Sequence, residues 1–429
     1  MIKVLDMVRI ENELSNTIRL EFPLKSPKYI GLTRNRLILE YPNVFPDLAN
    51  IGETVIFSLL PIAFSESSNI QLPDSLSLEV GTFDRIDRII ALWNGWFQSD
   101  RKIKIIANAA VKTESREEKR FGAQLFSGGV DSLATFKRQR DNIKYLIFYN
   151  GADIRLTRPG RFQQVKNYLE RFAQRYGKKL ISITTNVHHL HSVSWEHVSH
   201  GCAMLGPVIA LSKYINKVFI AATFSGPDSE KMPWGSHPLL DPMVRCEEIE
   251  TIHDGFDLKR TEKVLLLNIE PELIKYIRAC GANVKKGNNC GKCEKCYRTS
   301  VILRLLNIDP KETSFPKESF ELDNISNFLS RGILQEHTKF FWSENLEFLE
   351  SSKQAVEGKE RLIAALKDFL GDFYKFYKKG FSNDLPKSLE YVSKWRRIEK
   401  TLRLRTDTLL WIKRFLKLLK RRTYERTFS

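Results

Sequence analysis

LFSGGVDSLATF, residues 125 to 136, sets two glycines between two serines where an apolar run gives way to a helical pattern. A strand-to-helix turn of this kind presents unpaired backbone N–H groups and the positive end of the helix dipole, which together bind anions such as phosphate. Gly128 and Gly129 let the backbone approach the anion, because no Cβ stands in the way. Ser127 and Ser132 add hydroxyl donors, and Asp131 is expected to cap the helix and to sit beside a magnesium ion. The string lacks Gly-Lys-Ser/Thr and so is not a Walker A loop. A lone Ser-Gly-Gly is as readily a tight turn with no ligand; S-G-G-x-D-S between a strand and a helix is far more specific.

Working outward, residues 121 to 306 alternate strand and helix. GAQLF leads into the turn, YLIFY (145 to 149) reads as a second strand, LISIT (180 to 184) as a third and VFIAAT (218 to 223) as a fourth. Between them Phe162, Val165, Leu169, Phe172 and Tyr176 keep the spacing of one helix face, and a further helix is expected over Cys202 to Tyr214. Short continuous apolar strands separated by helices predict an α/β fold with a parallel sheet covered on both faces.

The flanks have a different grammar. Residues 1 to 115 show short apolar runs, NTIRLEF, RLILEY and ETVIFSLLPIAF, and then one expected helix, RIDRIIALWNGWF, which predicts a strand-rich module. KTESREEKR, residues 112 to 120, has no apolar period and reads as a surface connection, so the α/β domain is set at 116 to 308. Residues 309 to 429 read as a helical, basic region. There Trp395, Ile398, Leu402, Leu409, Ile412, Leu416 and Leu419 follow a heptad-like seam that Arg405 interrupts, which suits a helix docked on its own domains or a coiled-coil surface.

At 429 residues with 42% hydrophobic content, the chain has enough apolar mass for a substantial core in two or three domains. It has no run of about 18 apolar residues, the length needed to cross a bilayer, and no basic-then-apolar leader, so a cytoplasmic protein is expected. The net charge of +17 is uneven: from Tyr391 to Ser429 thirteen Lys and Arg face only Glu399, Asp407 and Glu425. That tail is the one place where nucleic acid is an expected partner.

Four of six cysteines cluster in RACGANVKKGNNCGKCEKCYRTS, placing Cys280, Cys290, Cys293 and Cys296 as C-x9-C-x2-C-x2-C. Two successive C-x2-C turns bring sulfurs within reach of one ion, and Cys280 can close a tetrahedral site. Lys285, Lys286, Lys292 and Lys295 would offset the charge of a zinc tetrathiolate. With no open position such a zinc is structural; an iron–sulfur cluster is the alternative. Cys202 and Cys246 read as ordinary residues.

S-G-G-x-D-S resembles the signature of the PP-loop ATP pyrophosphatases. Followed some way later by this four-cysteine pattern, it is similar to the QueC family of 7-cyano-7-deazaguanine synthases over about residues 121 to 305. The resemblance implies that Phe126, Ser127, Gly128, Gly129, Val130, Asp131 and Ser132 hold ATP, with magnesium, and that the α-phosphate is attacked by a carboxylate such as 7-carboxy-7-deazaguanine. Pyrophosphate leaves, an amine then displaces AMP, and the cysteines bind zinc. The family's Arg-Asn stands here as VSHGCAML, and its Tyr-Pro-Asp-Cys segment as FSGPDSEKMPWGSHPLLDP. Both are acceptor-side segments, and both flanking regions are extra. This pattern resembles the diverged QueC-like proteins of bacterial anti-phage operons, the Qat type, in which the amine belongs to a partner protein from a neighbouring gene. The rivals are the housekeeping nitrile synthase, a tRNA-modifying pyrophosphatase and a non-catalytic nucleotide-binding defence subunit.

Candidate catalytic residues are therefore Asp131, Ser127 and Lys263. Arg260 and Lys263, in LKRTEK, are placed to meet phosphates or the carboxylate, unless they are plain helix-surface charges. Five of eight histidines fall within HHLHSVSWEHVSH, after the third strand, where strand ends of open α/β sheets line the ligand crevice. His200 from that group and His237 after the fourth strand complete the substrate candidates.

Overall fold

A computed structural model of the chain describes residues 1–25, 35–110, 120–152, 154–190, 194–226, 232–281, 288–331 and 336–374. The first part contributes β1 (Ile2–Val4), β2 (Val8–Asn12), β3 (Thr17–Lys25), β4 (Arg36–Pro42), α1 (Ile51–Glu66), β5 (Ile70–Gln71), β6 (Ser77–Glu79), α2 (Val80–Phe97), β7 (Ile105–Ile106) and β8 (Asn108–Ala110). Next come β9 (Phe121–Leu125), α3 (Val130–Gln139), β10 (Ile143–Asn150), α4 (Pro159–Arg175), β11 (Lys179–Thr185), α5 (Val187–Leu190), α6 (His200–Ile209), β12 (Ile215–Ala221) and β13 (Glu250–Asp254). The chain continues through α7 (Arg260–Asn268), α8 (Pro271–Ile274), α9 (Glu294–Leu305), α10 (Leu322–Ser330), α11 (Glu336–Ser351) and α12 (Lys359–Leu370).

The four apolar runs become β9, β10, β11 and β12, and the expected α/β class holds: the molecule is mixed α/β around a large, mostly parallel sheet. β9 is flanked in parallel by β10, with Ala123 opposite Tyr145, and by β12, with Ala123 opposite Val218. β11 and β13 extend the two sides. Both faces are covered, as continuous apolar strands require. Along β10 the side chains alternate: Leu146 and Phe148 join the core under α3, α4 and α7, whereas Tyr145, Ile147 and Tyr149 join the core under α1 and α6.

The amino-terminal strands belong to the same sheet. β11 pairs antiparallel with β4 through Thr184 opposite Glu40 and Thr185 opposite Leu39, and β3, β1, β5 and β7 continue the order, with β2 on β3. Buried Asn186 clasps the join, accepting from Ile38 N at 2.8 Å and donating to the Arg36 carbonyl at 2.9 Å. The connection expected at 112 to 120 lies almost wholly outside the described residues; strands on both sides of it share one sheet.

One expectation is overturned. ETVIFSLLPIAF is not a strand but most of α1, in which every residue from Gly52 to Phe64 is buried. A helix buried all round has no polar face, so its sequence carries no helical period, and the internal Pro61 argues for a break that does not occur. α1 lies close against α6 at Gly206, where a Cβ would come within 2.9 Å of Ser58 Oγ and 3.0 Å of Ser58 N. RIDRIIALWNGWF is helical as expected, within α2. The helix expected over 202 to 214 runs instead from His200 to Ile209.

After residue 309 the described chain is helical: α10, α11 and α12 bury Ile325, Leu346, Leu349, Leu362 and Leu366 against Val301 and Leu305 of α9. The basic tail and its heptad-like seam lie outside the described residues. No helix among the described residues is long and apolar enough to cross a membrane.

Candidate functional site: a glycine turn at the sheet switch point and a four-cysteine cluster

The parallel strands run in the order β11, β10, β9, β12, β13, so successive connections leave β9 in opposite directions. Ligands of open α/β sheets bind at such a reversal, outside the carboxyl ends of the strands. The glycine turn occupies that place. Phe126 N donates to the Ile147 carbonyl at 2.8 Å, Gly128 takes φ +73°, and Gly129 is the N-cap of α3. No side chain caps α3, which leaves its first-turn amides to an anion. Ser132 Oγ donates to the Gly129 carbonyl at 3.0 Å, and Ser127 Oγ accepts from Gly129 N at 3.3 Å, so both hydroxyls shape the turn. Asp131 is thus the second residue of α3, within its first turn, and not its cap, unlike the expectation from sequence.

Above the turn lies a cleft of about 230 Å3. Its lining mixes polar Ser127, Asp131, Ser132, Thr223, His200 and Ser236 with apolar Leu125, Ile147, Met204 and Ile220.

Asp131 sits between two cations. Its carboxylate takes Arg260 on one oxygen and Lys263 Nζ, at 3.3 Å, on the other. Lys263 is only 1% exposed, and it also donates to the Ala222 carbonyl at 2.7 Å. Burial pushes the Asp131 carboxyl up, but Arg260 and Lys263 together outweigh it and hold the group below the ordinary carboxylate range. Both cations come from the first turn of α7, itself held by the carboxy-terminal helices: Arg260 N donates to Glu344 at 3.0 Å, and Lys259 pairs with Glu347 at 2.7 Å. The Phe341 ring lies under Arg260 at 4.9 Å and under buried Arg298 at 4.0 Å. Burial lowers Arg298 to about 10 and raises the Glu344 carboxyl. Phe341, Glu344 and Arg298 carried no signal in the sequence, since they reach the site only through packing of α9 and α11 on α7.

The two substrate histidines part company. His200, at the start of α6, lines the cleft; its Nδ1 donates to the Trp195 carbonyl at 3.0 Å, which leaves Nε2 as the acceptor of a neutral ring. Burial lowers its pKa, against the opposing pull of Asp241. His237 is 2% exposed, accepts from Leu239 N at 3.1 Å and packs edge-on to Trp96 at 4.7 Å, away from the cleft lining. Its neighbour Ser236 lines the cleft instead, donating at 2.7 Å to the buried Asp241, whose same oxygen meets His253 Nδ1 at 2.7 Å. Of the other grouped histidines, His188 stacks on Trp195 at 4.1 Å and His197 bonds Ser194 at 2.9 Å; His191 lies outside the described residues.

All four predicted cysteines converge. Their sulfurs lie within 4.8 Å of one another, with Cys293 at 3.5 Å from Cys296 and 3.7 Å from Cys280, and Cys290 at 3.9 Å from Cys296. Tetrahedral zinc with bonds of about 2.3 Å sets sulfurs about 3.8 Å apart, so the cluster fits such an ion. Gly291 at φ +71° turns the first C-x2-C loop, and Lys292 N donates to Cys290 Sγ at 3.4 Å. Lys285 and Lys286 lie outside the described residues. A second group, Glu79, Cys246 and Glu248, is equally close. There Glu79 is already committed to Arg85 at 3.1 Å and to Glu247 N at 2.8 Å.

Compared with protein-family models, curated proteins and solved structures, the chain finds no match in any of the three.

Proposed function

We propose that this chain is an ATP-dependent ligase of the QueC-like, PP-loop kind, which adenylates a carboxylate and passes the acyl group to an amine, with a partner protein in anti-phage defence as the acceptor. The observation that carries the reading is the Arg260–Asp131–Lys263 cluster beside an uncapped glycine turn at the switch point of a parallel sheet. Such a site stabilises a departing pyrophosphate through the amides of α3 and two fixed cations. Asp131 holds both cations in place before the ligand arrives, so little reorganisation is needed when negative charge develops.

In the first step an oxygen of the substrate carboxylate forms a bond to the α-phosphorus as the bond to pyrophosphate breaks. In the second, the amine nitrogen attacks the acyl carbon, AMP leaves, and the nitrogen loses a proton. His200 Nε2 is the acceptor offered by the cleft lining, with its tautomer fixed by Trp195. Magnesium, when bound, would neutralise polyphosphate charge. Asp131 is the only acidic residue among the described residues lining the cleft, and both its oxygens are engaged, so the ion is expected to arrive with the triphosphate. Zinc at Cys280, Cys290, Cys293 and Cys296 would be structural.

The test is AMP and pyrophosphate release from ATP, magnesium and 7-carboxy-7-deazaguanine, with a mass increase on a protein from a neighbouring gene. Asp131→Ala and Ser127→Ala should abolish AMP formation; full AMP production by both removes the pyrophosphatase reading. Efficient release of free 7-cyano-7-deazaguanine with no modified protein would indicate the housekeeping reaction, and no AMP with any acceptor would indicate a binding module.

A further inference from the structure

The segment joining α8 to the cysteine cluster runs directly beneath the glycine turn. Arg278 N donates to the Gly128 carbonyl at 2.7 Å, and Arg278 Nε donates to the Ser127 carbonyl at 2.8 Å. The same guanidinium reaches the Cys280 carbonyl at 3.4 Å. Arg278 is 5% exposed, so these bonds form out of water, where each is harder to exchange for a solvent contact. Asn289, 3% exposed and next to Cys290, locks the segment from the other side. Its Oδ1 accepts from Ala279 N at 2.9 Å and Cys280 N at 3.1 Å, while its Nδ2 donates to the Ile277 carbonyl at 2.8 Å. One hydrogen-bonded path therefore joins the cysteines to the two carbonyls that orient the turn.

We propose that the four-cysteine cluster sets the shape of the glycine turn through Arg278, so that metal occupancy governs anion binding at a site that shares no ligand with the metal. Arg278 is then a positioning residue: it fixes carbonyls on the underside of the turn, which aims the opposite amides at the cleft. A cluster that opens frees Cys280 and Asn289, and Arg278 loses the anchor at the Cys280 carbonyl that holds its guanidinium against Ser127. Arg suits the task and Lys does not, because a planar fork can serve Ser127 and Cys280 at once.

The experiment is hydrogen–deuterium exchange on the full-length chain, which does not depend on what the turn binds. Metal-loaded wild type, chelator-stripped wild type, Arg278→Lys and Arg278→Ala are compared, with metal content measured alongside. We expect both variants to keep their metal, yet to exchange the amides of residues 127 to 133 roughly tenfold faster, since local opening sets such rates. The amides of β10 and β12 should be unchanged. Stripped wild type should show the same acceleration at the turn, and its ATP affinity by calorimetry should fall in parallel. Unchanged exchange at the turn in Arg278→Lys and in the stripped chain would overturn the coupling. If Arg278→Ala fails to fold, or stripping unfolds the whole chain, Arg278→Lys decides. Failure of loaded wild type to bind ATP would count against the proposed function alone, since the exchange result still judges the coupling.

Discussion

Lys263 and Asp131 meet at 3.3 Å beneath the cleft, and the same ammonium holds the Ala222 carbonyl at 2.7 Å, so one buried charge ties the end of β12 to the start of α3. Asp131 is therefore both a site residue and a structural one. Its removal takes away the carboxylate that pairs directly with both Lys263 and Arg260. Because Asp131 is 21% exposed, we expect Asp131→Ala to lose about 3 kcal/mol, the lower end of the cost of breaking a buried pair. Denaturant titration measures this, and added inorganic pyrophosphate should restore part of the loss by filling the gap between the cations.

The acid limb of stability should also report this carboxylate. A folded-state pKa held below the ordinary range gives stability that is present above about pH 4, the unfolded value, and is lost as pH falls through the folded value. Asp131→Asn is expected to flatten the fall in melting temperature below about pH 4 relative to wild type. An unchanged slope would mean that other carboxylates dominate there.

Glu344 has the opposite sign. Burial raises its carboxyl, so its contribution is fullest below the ordinary Glu value and declines as pH rises through the raised folded value. Glu344→Gln keeps an acceptor for Arg260 N and removes the ionisation. The variant should match or exceed wild-type stability at pH 8 and gain no advantage at pH 4.

Gly128 combines φ +73° with a site where a Cβ would lie 3.0 Å from Leu169 Cδ2. Gly128→Ala should cost about 1–2 kcal/mol for the left-handed backbone alone, and it should weaken ATP binding more than Gly160→Ala, where no atom lies within 4 Å of the added carbon.

Metal analysis should find close to one zinc per chain, and Cys293→Ser should lower both zinc content and melting temperature, because a structural ion contributes to folding directly. Colour with iron and labile sulfide in the purified protein would replace zinc with a cluster and move the chemistry toward tRNA thiolation.

The glycine turn, the cysteine cluster and the strands around them were legible because each is a local pattern: a period, a spacing or a breaker residue within a few positions. Lys263, Arg260 and Asp131 were each visible as candidates, but their pairing was not, since Asp131 lies more than a hundred positions earlier and only the packing of α7 on α3 joins them. α1 was misread because burial on every side erases the alternation that identifies a helix. His237 was misplaced for a related reason: following the fourth strand puts a residue near the crevice, while the turn at Ser236 to Leu239 decides which neighbour faces it. Arg278 had no signal at all, for its role rests on backbone carbonyls that any sequence supplies.

The pairing of β4 with β11 bears on how the protein can be cut. Without residues 1 to 110, β11 would become a bare outer strand with its row of amides and carbonyls open to any passing chain. The face of α6 that receives α1 at Gly206 would be stripped of its cover as well. A fragment beginning at Arg120 would keep the glycine turn and all four cysteines, and it would aggregate all the same. Dissection of the candidate site is better done by point substitution in the whole chain than by trimming to a minimal unit.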